Sequence, residues 1–261
     1  MGFIRGALAI LIGVLLFLSI LSGALLLTLS YSLKYENIKE KFSPVIKELI
    51  GQSALTSELQ SKSFLMKNYC NQSLEYVFKY QNYTIIIPCN VIEQGTNAIV
   101  NYGIGKAIEE TYYKEYECKF FDCFKQGELP VFLISEKSKD YFTSKFYFVL
   151  FFFILLNLLM FFVLQKKSGV LTIVGSFFII SSLIIWKIGE FIMMPISNTQ
   201  VKNIIRIFFS SSYSIFMKML VIGAILIVLG ISFRIAGIGM KINNFFSRVK
   251  KEEKKPKKKK K

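Results

Sequence analysis

Four stretches of this chain run for the length of a membrane crossing with almost no charge, and polar segments of very unequal size separate them. The spans read as residues 7–29, 146–164, 169–190 and 217–238, since about 18 or more consecutive apolar residues are the mark of a bilayer helix. Only Gln165-Lys-Lys-Ser168 separates the second span from the third, so these two form a transmembrane helical hairpin. Lys166 and Lys167 in so short a turn place it on the cytoplasmic side by the positive-inside bias. With Arg5 also inside, the first span crosses outward, residues 31–144 lie outside, and both termini are cytoplasmic. Ser22-Gly23-Ala24 raises the alternative of a cleaved signal peptide, but the apolar run continues past it and is too long, so a retained anchor is expected.

Within the external domain, Ser43-Pro44 predicts a helix restart that Gly51 ends. Residues 57–80 read as further helix interrupted near Cys70. The β-branched run Tyr83-Thr-Ile-Ile-Ile87, stopped by Pro88, reads as a strand. Residues 98–116 are helical in pattern, loosened by Gly103 and Gly105. The helix that begins after Ser135 is expected to enter the second span without a break, joining the domain stiffly to the spans. Residues 200–216 carry Ile204, Ile205, Phe208 and Ile215 opposite Lys202 and Arg206, the pattern of an interfacial amphipathic helix. Residues 241–261 lack the apolar content for a core and read as a basic, disordered cytoplasmic tail. The fold class is thus mainly α: a polytopic membrane four-helix bundle with a disulfide-stabilised, mostly helical external domain carrying a small β element.

Composition agrees with that class, at 53% hydrophobic residues among 261, too apolar for an ordinary soluble domain. The net charge of +16 changes meaning once located. Between Tyr31 and Lys145, fourteen lysines face fourteen acidic residues, so the external domain is neutral and the excess lies beside the spans and in the tail. Nucleic acid is therefore disfavoured as a partner. The lysines Lys254, Lys255, Lys257, Lys258, Lys259, Lys260 and Lys261 suit anionic lipid headgroups, each contributing about 1 kcal/mol near such a surface.

All four cysteines, Cys70, Cys89, Cys118 and Cys123, fall in the external domain, as expected for two disulfides in an oxidising space. Of the three pairings that four cysteines allow, Cys70 with Cys89 and Cys118 with Cys123 is preferred. Asn71 and Asn82 head two glycosylation sequons in the same domain. Gly223, Gly230 and Gly237 recur every seven residues on the fourth span, as Gly6 and Gly13 do at the first, which predicts helix-packing seams or a homo-oligomer face. Asn157, Ser176, Ser181 and Ser182 are polar groups inside the spans that are expected to seek partners across the bundle. No span has an ionisable residue at its centre, which disfavours a proton or ion relay.

The chain has no histidine, which removes imidazole bases, histidine triads and ordinary zinc hydrolase sites. Glu109-Glu110, Glu115 and Glu117 alternate with lysine and tyrosine and read as a solvated face. Neither a catalytic cluster nor a cofactor or metal site is expected. Cys118-Lys-Phe-Phe-Asp-Cys123 is either a structural staple or a redox pair. In layout the chain resembles four-helix membrane enzymes that pass disulfides to quinone, but it lacks their C-x-x-C pair. It also lacks the cysteine-rich late loop of tetraspanins and the tryptophan signature of claudins.

The segment Tyr112-Tyr-Lys-Glu-Tyr-Glu-Cys118-Lys-Phe-Phe-Asp-Cys123, followed by Phe132-Leu-Ile-Ser-Glu-Lys137, resembles uncharacterised archaeal four-span membrane proteins with a cysteine-containing external first loop. That resemblance implies the layout and an archaeal cell surface, and no activity. The expected function is a non-enzymatic interaction or scaffolding role in the cell envelope. Its expected partners are the lipid bilayer and either another membrane protein or a second copy. An envelope thiol-disulfide oxidoreductase using Cys118 and Cys123 is the alternative, and a channel or transporter subunit the second.

Overall fold

A computed structural model describes residues 2–51, 54–80, 83–118, 120–125, 132–164, 168–197 and 199–253. The order is α1 (Gly2–Ser32), α2 (Tyr35–Gly51), α3 (Ala54–Cys70), β1 (Glu75–Tyr80), β2 (Tyr83–Pro88), α4 (Cys89–Glu93), α5 (Thr96–Tyr113), α6 (Phe120–Lys125), α7 (Glu136–Val163), α8 (Ser168–Met193), α9 (Thr199–Phe208) and α10 (Ser212–Glu253). Four helices are long and apolar enough to cross a membrane, which makes this a multi-pass membrane protein. The chain divides into two compact units. One comprises Met1–Leu25, Tyr147–Lys187 and Tyr213–Lys261; the other comprises Leu26–Phe146 and Ile188–Ser212.

The first unit is built from the apolar parts of α1, α7, α8 and α10. Ile12 and Leu16 of α1, Leu156 and Met160 of α7, and Val170 and Val174 of α8 form its buried core. The remaining surface is itself apolar: Phe148 and Phe151 are each 69% exposed and Phe162 is 72% exposed. Such a surface would aggregate in water and is stable only against hydrocarbon. Trp186 stacks on Phe216 at 5.3 Å with the Lys187 ammonium 4.8 Å from its ring, an amphipathic arrangement suited to a membrane boundary.

The second unit has a conventional apolar core. Val100, Ile104, Ile108 and Tyr112 recur at four-residue spacing on α5 and are buried together with Leu33, Ile38, Met66, Phe78 and Ile92. α5 is unbroken through Gly103 and Gly105 because its buried row outweighs their weak helix propensity. Its start depends on Gly95, whose φ of 95° suits glycine and whose carbonyl accepts the amides of Ala98 and Ile99. β1 and β2 pair antiparallel, with Tyr76 opposite Ile87 and Phe78 opposite Ile85 on the core side, while Val77 and Ile86 face outward.

Several elements depart from the sequence expectation. Residues 75–80 form a strand where helix was expected, because Tyr76 and Phe78 need the two-residue period to face β2 together. α2 passes through Pro44 without restarting, and the Ser43 hydroxyl donates to the Lys39 carbonyl instead of capping a new helix. Residues 200–216 are not one helix. α9 stops at Phe208, a turn follows in which Ser32 Oγ accepts the Ser211 amide at 3.1 Å, and α10 begins at Ser212. The buried face of α9 centres on Ile207, which joins the second unit's core with Phe208 beside it, so its apolar face is spent on protein. Helix α10 continues to Glu253, past the start of the expected disordered tail; Ile242, Phe245, Phe246 and Val249 follow helical spacing in the sequence. The tail lysines 254–261 lie outside the described residues, as do Lys166, Lys167 and Asn82.

Candidate functional site

Two disulfides hold the second unit. Cys70 at the end of α3 is bonded to Cys89 at the start of α4, with Cα atoms 5.5 Å apart, and the link brackets the β1–β2 hairpin. Cys118 is bonded to Cys123, Cα atoms 5.4 Å apart, closing the short loop that carries α6. Cys123 is 2% exposed and packs with Tyr116 and Phe132, while Cys118 is half-buried.

An aromatic cluster fixes this small loop. Phe120 stacks on Tyr141 at 3.8 Å and meets Phe142 and Phe132 at 5.6 and 5.4 Å, with Tyr116 edge-on to Phe132 at 5.2 Å. Tyr141 and Phe142 lie in the first turns of α7, so the disulfide loop rests on the base of that helix. Three hydrogen bonds complete the junction. The Ser135 and Ser138 hydroxyls both donate to the Phe132 carbonyl, and the Lys137 ammonium donates to the Tyr116 carbonyl. Ser135 Oγ also accepts the Ser138 amide, capping α7 three residues in. From that cap α7 continues unbroken to Val163, as the sequence pattern required.

The acidic residues singled out by sequence are solvated. Glu109 pairs with Lys106 at 2.9 Å with both side chains 43% exposed, and this bond and charge push the Lys106 ammonium upward from its usual pKa. Glu110 is exposed, as are Glu115 and Glu117. Among the described residues no group of three histidine, cysteine or carboxylate side chains could hold a metal ion.

A tyrosine cluster went unremarked in the sequence. Tyr35, Tyr112 and Tyr113 have ring centroids 4.9 to 5.5 Å apart, and the buried Tyr112 hydroxyl donates to the Leu33 carbonyl at 3.0 Å. Burial pushes Tyr112 up to about 12, and burial likewise raises Tyr35. The available signal was the four-residue row on α5, which Tyr112 ends.

The glycines divide sharply by surroundings. A Cβ at Gly223 would stand 2.9 Å from the Gly175 carbonyl oxygen, and one at Gly175 would stand 2.7 Å from that of Gly223. At Gly230 it would lie 2.5 Å from Thr172 Oγ1. These positions make α8 and α10 an antiparallel pair in backbone contact, the close approach that glycine alone allows. Gly175, the reciprocal member, lies outside the seven-residue repeat and was not singled out. Gly13 is in ordinary contact with Phe177 at 3.9 Å, and Gly6 has nothing within 4 Å, so the first helix has no matching seam. Gly237 lies in α10 at a position whose surroundings are outside those described.

Asn157, Ser176 and Ser182 bond within their own helices, whereas the buried Ser181 hydroxyl has no hydrogen-bond partner among the described residues and Ser19 of α1 donates to the Val149 carbonyl of α7 at 3.5 Å. Asn157 Nδ2 donates to the Phe153 carbonyl at 2.9 Å, Ser176 to Thr172 at 2.9 Å and Ser182 to Ile179 at 2.7 Å. A carbonyl three or four residues back satisfies each of the first three groups locally, so they do not fasten the helices together. Asn71 is exposed in the turn after α3, with its amide bonded to the Asn68 carbonyl. No family model, curated protein or solved structure matches the chain.

Proposed function

We propose that this is an integral membrane protein of the cell envelope, a four-helix bundle that displays residues 31–144 outside as a non-enzymatic interaction or scaffolding domain. Both termini lie in the cytoplasm, and the tail lysines meet anionic headgroups of the inner leaflet. The observation that carries this reading is the base of α7. The helix that anchors the Cys118–Cys123 loop through Tyr141 and Phe142 is 28 uninterrupted residues in all, Glu136–Val163, and is apolar enough to cross a membrane. A loop stapled and wedged in this way suits a stiff display surface, and Cys123 buried among aromatic rings suits a permanent bond better than thiol exchange, which requires access to sulfur.

The test is a redox titration of the purified full chain in graded glutathione buffers, with mass mapping of the four cysteines. Both disulfides are expected to persist at a cytosolic glutathione poise. Ready reduction of Cys118–Cys123 alone would replace this reading with an envelope thiol oxidoreductase, whose quinone-coupled reoxidation could then be assayed.

A further inference from the structure

The first unit carries an unfilled apolar groove of about 520 Å³, within the range of small-ligand sites. Ala9, Gly13 and Phe17 of α1 form one wall, Leu164 follows α7, and Ile173 and Phe177 of α8 form the other. The small side chains of α1 create its depth. Where Gly175 and Gly223 are pressed against a neighbouring backbone, Gly13 meets only the edge of the Phe177 ring among the described residues.

Two features of the groove define the occupant. Arg5 precedes Ala9 by four residues, so a cation stands one helical turn beyond the first residue that lines the groove. Arg5 is exposed and has no ion-pair partner among the described residues. At the other end, Phe17 meets Phe177 edge-on at 5.8 Å and closes the groove. Twelve residues of helix span about 18 Å, close to the roughly 15 Å of hydrocarbon in one leaflet of a 30 Å core. A second copy of a spanning helix would need a face that continues across the whole bilayer, which Phe17 and Phe177 interrupt.

We infer that this groove is a binding site for one anionic membrane phospholipid, with an acyl chain lying along Ala9 and Gly13 and the phosphate at Arg5. The guanidinium supplies a paired, fork-shaped donor set for phosphate oxygens, and the groove replaces the chain's lipid neighbours.

Native mass spectrometry of the full chain, purified in mild detergent and equilibrated with equal phosphatidylglycerol and phosphatidylcholine, tests this. One phosphatidylglycerol per chain is expected to be retained in preference to phosphatidylcholine. Arg5→Gln, at an exposed position that leaves the fold unstressed, is expected to lower that preference about fivefold, the equivalent of one interfacial cation. Gly13→Leu fills the groove from a Cβ position free of close contact and is expected to abolish retention of both lipids. Equal retention of the two lipids, or a preference untouched by Arg5→Gln, overturns the proposal. So does a Gly13→Leu chain that changes from dimer to monomer while keeping its lipid, since the occupant is then a second copy.

Discussion

Gly223 shows how much one absent methyl group can decide. Its missing Cβ would stand 2.8 Å from Ile179 Cγ1 and 2.9 Å from the Gly175 carbonyl oxygen, and a backbone carbonyl cannot rotate aside as a side chain can. Gly223→Ala is expected to destabilise the spans by about 1–3 kcal/mol through forced separation of α8 and α10, measured by denaturant unfolding in mixed micelles. Gly6→Ala, with open space around it, is expected to stay within about 0.5 kcal/mol of the parent. Tyr112 provides a second residue-scale test, because its phenol is held neutral by burial. A group whose pKa is raised on folding, from 10.0 to about 12, contributes stability that is present below its unfolded pKa and is lost as pH rises through the folded one. Stability is therefore expected to fall between pH 10 and about 12, with this side chain contributing on the order of 2 kcal/mol. In Tyr112→Phe that component of the pH–stability curve should vanish, at a cost of about 1 kcal/mol at neutral pH for the lost bond to Leu33.

Among the elements, the two staples are expected to differ in weight. The Cys70–Cys89 bond closes a 19-residue separation and the Cys118–Cys123 bond a separation of 5. Chain entropy assigns about 3 kcal/mol to the first and about 2 kcal/mol to the second, so paired cysteine-to-serine variants should show the larger loss of thermal stability at Cys70 and Cys89. The elements differ also in how legible they were. The long apolar helices and the β2 strand follow directly from residue pattern, because an almost charge-free run of spanning length or a β-branched run leaves little choice. β1 did not, since Glu75–Tyr80 carries both Glu75 and Lys79 and becomes a strand only once β2 offers Ile85 and Ile87 as partners. The same holds for α9, whose buried position is Ile207, between the Ile204, Ile205 and Phe208 that the helical pattern emphasised. The glycine seam was half legible: Gly223 and Gly230 repeat on one helix, whereas Gly175 gains its meaning only from the helix opposite.

At the scale of the molecule, charge and disulfides point to the same arrangement. The segment that holds every cysteine is electrically neutral, and the lysine excess lies beside the spans and beyond the last of them. The arrangement proposed above, with the lysines of the 165–168 turn and the tail on one side of a bilayer and the disulfides on the other, suits an envelope protein with an external domain and leaves Lys202 and Arg206 as cations on the outer side. Sided labelling tests this most directly, because the four native cysteines are themselves the reporters. Sealed vesicles of known orientation carrying the full chain would be reduced with a permeant reductant, cleared of it, and exposed to a membrane-impermeant maleimide before mass mapping. Labelling of Cys70, Cys89, Cys118 and Cys123 in right-side-out vesicles, with protection in inside-out ones, is the expected result. Labelling of the same cysteines in inside-out vesicles would contradict the account and place the domain in the cytoplasm.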